Sequence, residues 1–153
     1  MQKYFIAYGT NIKSDELAKS FPEAKIISYG YVKNYALEFV GYNGRAIAVA
    51  VKKRGERLPV AIWDFPKEMR HTLTNFEAFP YLYQRKTVTA HVGKMRLRGE
   101  IYVTKQKLNY GKPSTEYLNT LKEAYAEAGF NPQLIDIALS RQPDASEQLN
   151  PEE

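Results

Sequence analysis

Four runs of strand-forming residues crowd into one stretch of the chain: Ile26–Val32, Tyr35–Val40, Ala46–Val51 and Val60–Trp63. The links between them are too short for a parallel crossover, which takes a dozen or more residues, so pairing should be mostly antiparallel. Gly41-Tyr-Asn-Gly44 reads as a turn between two of the runs, and Arg54-Gly-Glu-Arg57 as a turn before the last. An earlier run, Tyr4-Phe-Ile-Ala-Tyr8, is broken by Gly9-Thr-Asn. Later, Gln84–His91 and Met95–Val103 read as a hairpin around Gly93.

Helical signals lie between and after these strands. Ser14-Asp-Glu before Leu17 and Ala18 marks a short helix start, curtailed by Pro22. Phe65, Met69, Leu73 and Phe76 recur at helical spacing, with Pro66 in the first turn and an expected end near Glu77. Tyr117, Leu118, Leu121, Ala124, Tyr125 and Ala128 form a second stripe that Gly129 should cap. Asn131-Pro132 should open a last helix over Gln133–Leu139. The pattern is α+β, a curled sheet or small barrel with helices packed on it. A single domain over 1–141 is expected, followed by an acidic, flexible tail over 142–153.

With 153 residues the chain can bury one sizeable core. It has no cysteine, which excludes disulfides, thiolate nucleophiles and cysteine-based zinc sites. No segment approaches the ~20 apolar residues of a membrane span. The N-terminus enters a strand pattern without a signal-peptide apolar region, so a cytoplasmic protein is expected. The net charge is +5, from 22 basic against 17 acidic residues. Setting aside Asp144, Glu147, Glu152 and Glu153 of the tail leaves 22 against 13, or +9, on the body. The basic residues fall in short groups near turns, so a solvated basic surface is favoured and nucleic-acid binding disfavoured. Oligomeric state is not legible.

Three places invite chemistry. The Tyr8-Gly9-Thr10-Asn11 segment ends a strand and bunches backbone N–H groups that suit a carboxylate or an oxyanion; the plainer alternative is an ordinary capped turn. Glu77 is the only charged group between Phe76 and Tyr83. Desolvation by such aromatic neighbours would raise its pKa and make it a general base near neutral pH. The alternative is a helix-end acid facing water or paired with Arg85. Tyr83 and Tyr117 each offer a hydroxyl on an aromatic body, for a ligand or simply for core packing. His71 and His91 lack the carboxylate spacing of a metal site, and no phosphate-loop or dinucleotide motif occurs.

In order, these segments resemble the gamma-glutamylcyclotransferase-like family. Tyr8-Gly9-Thr10-Asn11 is similar to its Tyr-Gly-Ser-Asn loop. Leu58-Pro-Val-Ala-Ile-Trp63, then Leu73-x-x-x-Glu77-x-Phe79-Pro80-x-x-Tyr83-x-Arg85, is similar to its central block. Pro113-Ser114-x-x-Tyr117 is similar to its C-terminal segment. Thr10, Ala78, Thr74 and Arg45 depart from the family's usual Ser, Gly, Asp and Gly. The resemblance implies a small mixed, mostly antiparallel β-barrel with peripheral helices. It implies release of 5-oxoproline from a γ-glutamyl amine or peptide, with Glu77 as general acid/base and no metal or organic cofactor. Tyr8, Gly9, Thr10, Asn11, Tyr83 and Tyr117 would bind the small γ-glutamyl substrate. The alternative is a non-catalytic protein that binds a small carboxylate on the same fold.

Overall fold

The computed structural model describes residues 4–13, 18, 19, 21–65, 83–104, 108–144, 146 and 147. Five strands close into a barrel: β1 (Tyr4–Ala7), β2 (Lys25–Val40), β3 (Ile47–Asp64), β4 (Tyr83–Val92) and β5 (Met95–Thr104). Their order around the barrel is β1-β3-β2-β4-β5. All pairings are antiparallel except β1 with β5, which closes the ring in parallel at Tyr4↔Gly99 and Phe5↔Glu100. The expected mixed, mostly antiparallel barrel with peripheral helices is the fold observed. Gly99 permits the closure. A Cβ there would lie 2.6 Å from both the Ile6 side chain and the Tyr4 carbonyl oxygen, closer than real contacts allow.

The four short runs expected between Ile26 and Trp63 are in fact two long strands. The break at Lys33-Asn34 and the break at Arg54-Gly55 fall opposite one another. The register passes from Lys33↔Arg57 to Tyr35↔Lys52, so the extra residues are absorbed as a bulge. The Gly55 N–H donates to Asn34 Oδ1 at 3.0 Å, and Asn34 takes the left-handed φ of 64° that such a kink needs. A sequence turn thus became a bend inside a hairpin, because its partner strand carried a matching break. The Gly41–Gly44 turn and the β4–β5 hairpin lie where the sequence places them.

Two helices follow the barrel among the described residues: α1 (Thr115–Ala128) and α2 (Gln133–Arg141). Ser114 caps α1 by accepting the Tyr117 N–H at 3.0 Å, and Gly129 ends it in the left-handed conformation. Asn131 Oδ1 accepts the Gln133 N–H at 3.0 Å at the entry to α2. The apolar stripe of α1 buries Ala124 and sends Leu121 and Tyr125 into the core, where they join Ile6, Phe39, Leu58, Ile62 and Ile101. Beyond α2, the Gln142 side chain accepts the Phe39 N–H at 2.9 Å and donates to the Gly111 carbonyl at 2.9 Å. The Glu147 carbonyl accepts the Tyr110 N–H at 3.0 Å. The helix expected from Phe65 to Glu77 lies outside the described residues apart from Phe65, which is buried against Phe5, Phe21 and Trp63.

Candidate functional site

A cavity of about 230 Å³ opens beside the end of β1. Its walls include Tyr8, Gly9, Thr10 and Asn11 from the first loop, Ile47 and Ala48 from β3, Tyr102 from β5 and Tyr117 from α1. Most of the sequence candidates therefore meet in one place: Tyr8, Gly9, Thr10, Asn11 and Tyr117 share a cavity, although 106 positions separate Asn11 from Tyr117. Glu77 lies outside the described residues. Tyr83 opens β4 with its backbone opposite Thr104, and its side chain lies outside the description.

The first loop is a short 3-10 helix, Gly9–Ile12, entered from an extended Tyr8. Gly9 takes φ 67°, a region that strains any L side chain. A Cβ there would meet only the Ala48 Cβ, at an ordinary 3.5 Å, so the demand for glycine is conformational. The loop is held at two points. The Tyr8 hydroxyl donates to the Tyr102 carbonyl at 2.6 Å, which ties the strand end across the barrel. The Trp63 indole N–H donates to the Asn11 carbonyl at 3.0 Å, and Trp63 itself is buried. These two bonds fix the path of the loop at its start and in its middle.

Tyr117 faces the loop from α1. Its hydroxyl accepts the Ala48 N–H at 3.0 Å. That N–H is available because β1 covers β3 only at Ala61–Trp63, which leaves β3 without a strand neighbour on this side at Ala48. An oxygen that accepts one hydrogen bond keeps its own O–H to donate elsewhere. Burial pushes the Tyr117 pKa up, partly offset by the Ala48 hydrogen bond, so the hydroxyl stays a neutral donor at physiological pH. The neighbouring Tyr125 is pushed further up by burial and by Tyr117. Ala48, Ile47 and Tyr102 were not singled out in the sequence. Ala48 and Tyr102 serve through backbone atoms, which no side-chain pattern reveals.

Among the described residues no three His, Asp or Glu side chains come together as metal ligands. Among the described lining residues the polar side chains are the hydroxyls of Tyr8, Thr10, Tyr102 and Tyr117 and the amide of Asn11, and none is charged.

Residues 5–121 match the family model for gamma-glutamyl cyclotransferase, AIG2-like proteins. The chain belongs to this family. The match runs from β1 through the cavity loop to the buried face of α1, and includes position 77. A search of curated protein sequences found no match. Solved structures share the fold at low identity. A gamma-glutamyl cyclotransferase superposes with a TM-score of 0.76 at 14% identity, covering 93% of this chain and 89% of its own. An uncharacterized human protein, loc79017, gives 0.79 at 16% identity, with the same 93% and 89% coverage. A yeast gamma-glutamyl cyclotransferase specific to glutathione gives 0.56 at 11% identity, covering 93% of this chain and 99% of its own. Family and fold thus agree with what the ordered motifs imply.

Proposed function

We propose that the protein is a γ-glutamyl cyclotransferase that releases 5-oxoproline from a γ-glutamyl amine or peptide, with Glu77 as the general acid/base. One observation carries the reading. The pre-anchored loop Tyr8–Asn11 and the Tyr117 hydroxyl line a single small cavity. At about 230 Å³ it falls below the ~300–1,000 Å³ usual for drug-sized ligands, which suits an amino-acid-sized group with the remainder held outside.

The reaction joins two ends of one substrate. Glu77 removes a proton from the α-ammonium, and the freed amine attacks the γ-carbonyl carbon. A C–N bond forms and the carbonyl oxygen becomes an oxyanion. Collapse of that intermediate breaks the original γ-amide bond. Glu77 returns the proton to the departing nitrogen, and the ring nitrogen gives up its second proton to the released amine or to solvent, giving 5-oxoproline and a free amine. Loop N–H groups from Gly9 to Asn11 hold the polar end of the glutamyl group, and Tyr117 supplies a hydrogen bond from the opposite wall. Nucleophile and electrophile are already tethered, so the protein's part is to hold a reactive conformer and to move protons from the attacking nitrogen to the departing one. No step calls for a redox change or a metal.

The test is 5-oxoproline release from a panel of γ-glutamyl amines, amino acids and peptides. Glu77→Gln should abolish turnover while circular dichroism and the unfolding midpoint stay near wild type. Full turnover in Glu77→Gln would refute the assignment of the base. Saturable binding across the whole panel with no turnover would make the cavity a carboxylate-binding site instead.

A further inference from the structure

On the side of the barrel formed by β3, β2, β4 and β5, cations that the sequence scatters come together. Strand register places Lys33 opposite Arg57, Tyr31 opposite His91, and His91 opposite Arg96. Arg98 follows two residues along β5 from Arg96, on the same face. Inward positions between them, Val32, Leu58 and Ala90, are buried, so these side chains stand on the outer wall. Lys33, Arg57, Arg96 and Arg98 are exposed, and among the described residues none of them forms an ion pair.

The centre of the patch is aromatic and ordered. The Tyr31 and His91 rings stack at 5.9 Å with 20° between planes, and the Arg57 guanidinium sits 4.7 Å from the Tyr31 centroid. Partial burial, and then the charges of Lys33, Arg96 and Arg57, push the His91 pKa down.

We propose that this face binds the phosphodiester backbone of a single-stranded nucleic acid. Three strand steps of ~4.8 Å and a two-residue offset of ~7 Å put Arg57 and Arg96 about 16 Å from one another along the curved wall. A stacked single strand carries one phosphate per ~3.4 Å, so that span holds four to five phosphates, about one for each unpaired cation. Arginine predominates among those cations, and its planar fork matches phosphate geometry. His91, held by its stack on Tyr31, supplies the ring on which a base can stack.

The experiment measures anisotropy of a fluorescein-labelled oligo(dT) with the full chain across salt concentration. Four phosphate contacts predict a slope of about −2.8 in log K against log salt, or a ~50-fold loss of affinity between ~50 and ~200 mM salt. Arg57→Ala with Arg96→Ala should lower that slope by about 1.4. Arg98→Ala, an exposed single change that spares the stack, should lower it by about 0.7. All these variants should keep wild-type 5-oxoproline release or, if the protein proves to have none, wild-type unfolding midpoints. Absence of binding at ~50 mM salt, or a slope unchanged in both variants, would overturn the proposal. So would variant-sensitive binding to phosphatidylserine vesicles without binding to the oligonucleotide, which would give the face to a membrane surface.

Discussion

Tyr117→Phe separates chemistry from architecture at the cavity, because it removes one oxygen and leaves the ring. The lost atom accepts the Ala48 N–H at 3.0 Å. A buried amide left without a partner costs about 1–3 kcal/mol. Ala48 borders a cavity that water can enter, so the lower end, about 1 kcal/mol, is expected. For a chain of this length that is a fall of roughly 2–4 °C in Tm. The kinetic effect should be larger. If the Tyr117 O–H is donated to the developing oxyanion, its removal should cost about 10²–10³ in kcat, as loss of an oxyanion donor does elsewhere. If it only binds the glutamyl group, KM should rise with kcat unchanged. Steady-state assay of 5-oxoproline release, with urea unfolding run in parallel, distinguishes these outcomes. A variant with kcat and KM within about twofold of wild type would refute the view that the Ala48-held hydroxyl faces the substrate.

Other perturbations probe the scaffold. Gly9→Ala places an L residue at φ 67° with no steric clash, so it should cost about 1–2 kcal/mol and weaken substrate binding as the loop amides reorient; unchanged stability and KM would remove the conformational argument. Glu38 is buried, accepts the Tyr110 hydroxyl at 3.0 Å and lies 4.0 Å from Lys53. Burial raises its pKa against the opposing pull of Tyr110 and Lys53, so the folded state holds this proton more tightly than the unfolded chain does. Stability from that proton is full below the ordinary glutamate range and is lost as pH rises through the raised folded pKa. Glu38→Gln keeps an acceptor for Tyr110 and should not show this loss. Parallel stability curves for the two proteins across that pH window would contradict the account.

Much of the local structure was legible because its causes are local. Gly93 marks the β4–β5 hairpin, Ser114 caps α1 and Gly129 ends it, each through a backbone demand that neighbouring residues state outright. The Tyr8–Asn11 loop was legible as an amide-rich turn, and its order with the central block from Leu58 to Arg85 and with Pro113–Tyr117 carried the family resemblance that the match over residues 5–121 bears out. The anchors of that loop were not legible. Trp63 and Tyr102 act on it through an indole N–H and a carbonyl oxygen brought near by barrel closure.

The sequence by itself determined the two described helices after the barrel, the turns at Gly41–Gly44 and Gly93, and which family the chain belongs to, since these depend on residues close together or on a fixed order. Tertiary structure decided the rest. It merged four strand runs into two, because the breaks in β2 and β3 faced one another and were taken up as one bulge. It put the Tyr117 hydroxyl on the Ala48 N–H across 69 positions, and it gathered Lys33, Arg57, Arg96 and Arg98 on one wall. Both depend on strand register, and register is set by which pairing buries the apolar face, a property of the closed barrel as a whole.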